Sequence, residues 1–150
     1  MANGILNGTD LKVYITPDGG SATLIAYATS ATININHSPR TITNKESSGW
    51  DESMEGLRSW DISVDAMYAW LDAGGSAIGG LTLSELYTDM VHTRTKLAVT
   101  FGVTTSATGD TKYAGDVWMT AASLNAPLED SSTFSVSFQG TGALTQTVAS

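Results

Sequence analysis

The stretch RSWDISVDA, residues 58–66, alternates strictly between apolar and polar side chains. Extended backbone points successive side chains to opposite faces of a sheet. One face of this segment is apolar and consists of Trp60, Ile62, Val64 and Ala66. The other face is small or acidic and consists of Ser59, Asp61, Ser63 and Asp65. The alternation predicts a strand of an antiparallel sheet that buries one face and leaves the other polar.

Similar segments on both sides predict further antiparallel strands. Two pairs precede this strand: LKVYIT (11–16) with ATLIAY (22–27) around the turn PDGG, and TSATININ (29–36) with RTITNKE (40–46) around a break at HSPR. Three strands follow it: TKLAVTFGV (95–103), DVWMTAASLNA (116–126) and TFSVSFQG (133–140). The last of these repeats the two-faced pattern, with the polar side chains of Ser135, Ser137 and Gln139 alternating with apolar ones.

One helix and one linker separate the strands. The glycine-rich stretch from about 67 to 80 indicates a linker. Thr82 and Glu85 match a T-x-x-E capping box, which predicts a helix over about 83–92. We therefore expect a mainly β fold: an antiparallel β-sandwich or barrel with one flanking helix and a long loop at about 45–57. At 150 residues, the chain suits a single domain, 1–150.

The composition excludes several kinds of site. The chain has no cysteine, so it has no disulfide, thiolate metal site or cysteine nucleophile. It carries 7 Lys and Arg against 15 Asp and Glu, a net charge of −8, whereas proteins that grip nucleic acid cluster basic residues. The N-terminal stretch lacks the pattern of an export signal, and no apolar run is long enough to cross a bilayer. We expect a soluble protein with no membrane partner.

Candidate catalytic and metal-ligating residues are sparse. His37 and His92 are the only histidines and match no metal-binding spacing. Asp51, Glu52 and Glu55 could supply paired carboxylates for glycoside hydrolysis, but such pairs need a rigid cleft. Asp61 and Asp65 lack the oxygen-rich loop of a calcium site. With no phosphate-binding or nucleophile motif either, we predict no enzyme activity, no metal and no cofactor.

Trp50 is unusual because it lies in a loop rich in Glu, Ser, Asp and Gly. An indole left in water forgoes burial of about 150–250 Å², which is several kcal/mol at about 25 cal/mol per Å². The ring therefore packs against either its own sandwich or another subunit.

Four segments, in order, resemble the tail tube (major tail) proteins of long-tailed bacteriophages, especially the TP901-1-like group. They are GTDLKVYI (8–15), LIAYATSATININ (24–36), TNKESSGWDESMEGLRSWDIS (43–63) and FSVSFQGTGALT (134–145). The third is the most specific, with Asn44-Lys45, Ser47, Gly49-Trp50, Gly56 and Trp60 in register. The resemblance spans nearly the whole chain.

The resemblance implies a structural virion protein that is located in the tail and assembled in the host cytoplasm. It implies that six copies form a ring and that stacked rings form the tube through which DNA leaves. The inner sheets of neighbours would join into one channel barrel. The implied partners are other copies of the chain, the tail terminator, the tape measure and baseplate or distal tail proteins, while genomic DNA passes without specific binding.

Two surfaces follow as hypotheses. The polar strand faces would line the channel, where small and negative side chains deny DNA any phosphate contact; the candidates are Ser59, Asp61, Ser63, Asp65, Ser135, Ser137 and Gln139. The loop would dock on a neighbouring subunit with Trp50 as its anchor and charged residues at the rim; the rim candidates are Lys45, Glu46, Asp51, Glu55 and Arg58.

Two alternatives stay open at this point. One is the inner-tube protein of a bacterial contractile injection or secretion particle, which differs in its neighbours rather than its physics. The other is a monomeric β-sandwich ligand-binding module, such as a glycan-binding domain, which would present exposed aromatic residues around a fixed cleft.

Overall fold

The computed structural model describes residues 8–17, 20–25, 27–68, 82–103 and 108–150. Within these residues, seven strands form one antiparallel sheet in the order β2-β1-β5-β6-β7-β4-β3. Their bounds are Leu11–Thr16 (β1), Thr23–Leu24 (β2), Ala28–Thr41 (β3), Ser53–Met67 (β4), Leu97–Val103 (β5), Thr111–Asn125 (β6) and Thr133–Val148 (β7). The prediction of a mainly β, antiparallel fold is confirmed.

The sheet curls around a single core. Val13 of β1, Val64 of β4 and Phe138 of β7 belong to one buried cluster, although β1 and β4 lie four positions apart in the sheet order. A flat sheet could not bring these strands together, so the apolar face must be concave. The alternation predicted for β4 is confirmed, because Trp60, Ile62, Val64 and Ala66 are all buried.

The predicted helix is present, in two parts. An α-helix, α1 (Leu83–Tyr87), is followed directly by a π-helical turn, Thr88–His92. The capping box is formed, with the Thr82 amide donating to Glu85 Oε2 at 2.8 Å. Leu86 is buried in the core, so the helix covers part of the concave face. Among the described residues, no helix is both long and apolar enough to span a membrane.

The β3–β4 hairpin differs from its prediction at HSPR, which we expected to break the strand. β3 instead runs through residues 37–40, and the pairing register shifts between Ser38 and Arg40. Proline lacks an amide donor, so Pro39 is accommodated by a bulge in an edge strand rather than by a turn. Gly56 lies opposite, where a β-carbon would overlap the carbonyl of Ser38.

The predicted loop at about 45–57 is also too long at its C-terminal end. β4 begins at Ser53, so Glu55 and Gly56 belong to a strand and the connecting loop covers residues 42–52. The acidic composition suggested a loop, but the bulge allows the ladder to continue past Gly56 to the pair Thr41–Ser53. The linker predicted at about 67–80 lies mostly outside the described residues.

Other strand ends differ more simply. Among the described residues of the segment predicted at 22–27, β2 covers two, Thr23 and Leu24, and the chain turns at Tyr27 with a φ of 53°. β6 begins five residues earlier than predicted, at Thr111, and β7 continues to Val148. Their pairing with each other extends both strands.

Candidate functional site

The side of the sheet opposite the core carries rows of polar residues that cross β3, β4 and β7. In each row, residues directly opposite one another share a face. The rows are Asn34–Asp61–Gln139, Thr32–Ser63–Ser137 and Ser30–Asp65–Ser135. We call these nine residues, with Ser59 and Asn36 at one end, the polar face. All seven predicted channel-lining residues therefore lie on one face.

Hydrogen bonds hold both aspartates of the polar face in place. Asn34 Nδ2 donates to Asp61 Oδ2 at 2.8 Å. Asp65 accepts from Ser30 Oγ at 3.0 Å and from Ser135 Oγ at 2.5 Å, so it joins three strands. These carboxylates are fixed acceptors that face solvent, with no described cation beside them. Sequence reasoning missed Ser30 and Asn34 as partners because the partners are 35 and 27 residues distant.

Residues 36–59 form a projecting hairpin, which we call the hairpin arm. The β4–β7 pairing stops at Asp61, beyond which β4 pairs only with β3. Every residue of the hairpin arm is exposed except Ser47, which is buried, and Gly56, which is half-buried. Trp50 is 78% exposed and Leu57 is 86% exposed. The hairpin arm thus carries apolar side chains that no described part of its own chain covers.

The tip of the hairpin arm is a folded turn held by side-chain and backbone hydrogen bonds. Thr43 Oγ1 accepts from the Glu52 amide at 2.8 Å and donates to the Glu52 carbonyl at 3.3 Å. Asn44 Oδ1 accepts from the Glu46 amide at 2.8 Å, and the Trp50 amide donates to the Ser47 carbonyl at 3.0 Å. Gly49 supplies a φ of 82°. The turn therefore presents Trp50 from a defined backbone.

The predicted docking residues divide between the tip and the strand. Lys45, Glu46, Trp50 and Asp51 lie in the tip, and all four are exposed. Glu55 and Arg58 lie in β4 and form an ion pair with each other. An exposed pair of this kind contributes little to stability, about 0–1 kcal/mol. The tip therefore holds one cation and three carboxylates, those of Glu46, Asp51 and Glu52.

Two strand edges are left without a described partner. β3 is the last strand of the sheet, so its outer edge is open from Ala28 to Thr41. β6 pairs with β5 only as far as Val117, which leaves the same edge of residues 118–125 open. Neither 28–36 nor 118–125 contains a charged residue. Open, uncharged edges of this kind pair readily with other strands.

The part of the chain that the structure describes shows no group of three or more His, Asp or Glu side chains that could hold a metal ion. The surfaces with the clearest physical character are the polar face, the hairpin arm and the two open edges. They suit contacts between subunits rather than reaction chemistry.

Comparisons with known proteins agree with that reading. The profile of the family described as phage tail tube protein matches residues 6–146. The tail of an empty gene transfer agent particle, refined with C6 symmetry, has a similar fold: the TM-score is 0.75 at 20% identity, covering 96% of this chain and 100% of that chain. No curated protein matches.

Two further solved structures share the fold. The SPP1 tail tube has a TM-score of 0.74 at 15% identity, covering 96% of this chain and 80% of that chain. The anti-feeding prophage baseplate has a TM-score of 0.62 at 7% identity, covering 99% of each chain. At such identities, these likenesses support the fold alone.

The family match covers nearly the whole chain and agrees with the resemblance carried by the sequence, although the narrower TP901-1-like grouping stays a prediction. The chain belongs to the phage tail tube protein family, and its role is structural rather than catalytic.

Proposed function

We propose that this chain acts as one domain that assembles into six-membered rings, which stack into a tail tube and conduct DNA during ejection. The observation that carries the proposal is the hairpin arm, an ordered projection with exposed Trp50 and Leu57 and no described cover of its own. Exposed apolar groups of this size on a folded element are typical of interaction sites. The six-fold symmetry of the gene transfer agent tail supports the ring number.

Rings would close through the two open edges. In this proposal, β3 of one copy pairs with residues 118–125 of β6 in the next copy, so the four strands β6, β7, β4 and β3 join into a continuous barrel. The contact is heterologous, because one edge meets a different edge, and such contacts close into a ring when the rotation is correct. Neither residues 28–36 of β3 nor residues 118–125 of β6 carry a charged side chain, so no like-charge repulsion opposes pairing between them.

The polar face would then line the channel. Its aspartates repel phosphate, and the side chains of Ser30, Asn34, Ser135 and Gln139 are hydrogen-bonded within the sheet rather than available to DNA. The DNA passes without a specific site. In the virion, the tube would also meet the tail terminator, the tape measure and baseplate or distal tail proteins, after assembly in the host cytoplasm.

Electron microscopy of the purified protein tests assembly directly. We expect six-membered rings or tubes with a continuous wall. A protein that stays monomeric over the micromolar to millimolar range contradicts the proposal and favours a ligand-binding module.

Charge reversal tests the channel location. Asp61→Lys with Asp65→Lys should leave tubes assembled but lower genome delivery, because lysines in the channel would bind phosphate. Glu129→Lys with Asp130→Lys makes the same charge change in the exposed β6–β7 loop and serves as the control. Equal infectivity of both double variants would place the polar face outside the channel.

A further inference from the structure

β1 and β3, which lie near opposite ends of the strand order, border a groove of about 440 Å³. Its lining includes Leu11 and Val13 of β1, Ala28 and Ala31 of β3, and Phe101 of β5. On its outer side, β1 pairs with β2 at Tyr14 and Ile15, and the Val13 carbonyl accepts from the Ile25 amide at 3.4 Å. Leu11 and Lys12 border the groove without a described strand partner on that side. The volume is within the range of about 300–1,000 Å³ in which proteins hold compact ligands.

The groove has one charged residue among its described lining, Lys12, and no carboxylate. The ion pairs among the described residues are Arg58–Glu55 and Lys96–Asp116, so Lys12 has no acidic partner there. In a chain with a net charge of −8, such a groove suits an acidic partner. A second pocket of about 330 Å³, beside Tyr14, Val103 and Lys112, has the same character but is not lined by β3.

The tip of the hairpin arm has the complementary character. It offers an exposed indole at Trp50 and two carboxylates directly after it, on Asp51 and Glu52. An apolar anchor with charged neighbours matches an apolar groove with a cation at its rim.

The tip of the same chain cannot fill the groove. β3 and β4 stay paired from Ala28–Ala66 to Thr41–Ser53, so the hairpin arm is held in an extended direction. Ile42 is eleven positions beyond Ala31, which is about 36 Å at a rise of about 3.3 Å per residue. A hairpin tip that fills the groove therefore comes from another copy of the chain.

We propose that the groove between β1 and β3 of one subunit receives the tip of the hairpin arm of a second copy. Trp50 enters the apolar part beside Leu11, Ala31 and Phe101, which are all partly exposed, and the carboxylates of Asp51 and Glu52 face Lys12. This inference rests on the proposed function, since it names the receiving surface for the docking of the hairpin arm.

Cysteine cross-linking tests the contact, because the chain has no cysteine to interfere. Disulfides form only when the two Cα atoms are within about 7 Å. Assembled Lys12→Cys/Asp51→Cys protein should form covalent chains of subunits on oxidation. The control is Lys112→Cys/Asp51→Cys, which should not cross-link. Lys12 pairs with Gly102 and Gly102 pairs with Lys112, so the two lysines are on the same face of the sheet, two strands and about 10 Å apart.

Charge exchange gives a second test that does not depend on an oxidant. Lys12→Glu should slow tube growth about fivefold at low salt, and Asp51→Lys with Glu52→Lys should do the same. Combining all three changes should restore growth. Lys12→Glu and Lys112→Glu are compared at about 0.15 M salt. There Lys112→Glu should have the smaller effect, because Lys112 lies about 10 Å from Lys12, beyond the screening length of about 8 Å.

These experiments distinguish a wrong groove assignment from a wrong proposed function. If tubes require Trp50 but Lys12 and Asp51 neither cross-link nor exchange charges, the hairpin arm docks elsewhere and the groove assignment is wrong. If the chain lacking residues 1–7 loses assembly and the cross-link is absent, that segment is the occupant and the inference also fails. If Trp50→Ala tubes are normal, the docking role of the hairpin arm itself is wrong.

Discussion

Two tryptophans ten residues apart on one hairpin have opposite surroundings. Trp60 is 4% exposed: its indole lies against Gly115 and Gly140, and its Nε1 donates to the Gly142 carbonyl at 3.2 Å. Trp50 is 78% exposed at the tip of the hairpin arm. The difference shows where the hairpin stops belonging to the fold, because Trp60 lies at the point where β4 separates from β7. From Trp60 onward, the buried side chains of β4 stabilise the monomer, whereas the exposed side chains of the hairpin arm are available to another subunit.

The largest effect on monomer stability is expected for Trp60→Ala. Removing a buried tryptophan leaves a cavity and should lower the free energy of unfolding by about 3–5 kcal/mol. Denaturant unfolding of the unassembled protein measures the change, with the half-exposed Trp118 replaced by Ala as the control. A loss below about 1 kcal/mol for Trp60→Ala would mean that this ring does not anchor the hairpin.

Gly140→Ala should have the next largest effect, because a β-carbon there would overlap the indole of Trp60. Overpacking of this kind typically lowers the free energy of unfolding by about 1–3 kcal/mol. Gly8→Ala is the matched control, since its β-carbon would meet nothing within 4 Å. If the two variants melt at the same temperature, the close approach of Gly140 to Trp60 is incorrect.

Gly56→Ala tests the hairpin arm itself and should change global stability by about 1 kcal/mol or less, since the surroundings are exposed. The new methyl group would overlap the Ser38 carbonyl, so the bulge should open. Hydrogen exchange should then accelerate for amides of residues 40–54 but not for those of β5. Uniform exchange changes across both regions would show that the hairpin arm and the core are one cooperative unit.

Trp50→Ala should have the smallest effect on the monomer and still abolish tubes. An exposed ring contributes little to folding, so the free energy of unfolding should change by about 0.5 kcal/mol or less, while docking would lose about 4 kcal/mol of indole burial. Sedimentation and electron microscopy measure assembly. Leu128→Ala, at a residue 98% exposed in the β6–β7 loop, should assemble normally. A destabilised Trp50→Ala monomer would instead mean that the ring packs on its own chain.

Features set by neighbouring residues were predictable from the sequence. The two faces of β4 follow from a period of two, and the capping box of α1 depends on residues three apart. Features set by distant residues were not predictable. Gly115 and Gly140, which leave space for the indole of Trp60, lie 55 and 80 residues beyond it in the sequence. The bulge at Pro39 depends on Gly56 in the opposite strand of the hairpin.

The candidate site shows the same division. Alternation assigned the polar face, yet the hydrogen bonds that fix Asp61 and Asp65 come from strands whose order in the sheet no local pattern reveals. In the hairpin arm, the residue types indicated an unusual loop. The turn made by Thr43, Asn44 and Ser47 appears only when the two strands are paired.

The two hydrogen bonds between Thr43 and Glu52 affect the protein concentration above which tubes begin to grow. Ordering a free backbone requires about 1–2 kcal/mol per residue, so a disordered tip of residues 42–52 would require more than about 10 kcal/mol on docking. Burial of one indole offsets only part of that. Because folding of the monomer has already ordered the tip, nearly all of the contact energy is available to hold the second subunit. A Thr43→Ala chain should therefore fold normally and yet need a higher protein concentration before tubes grow.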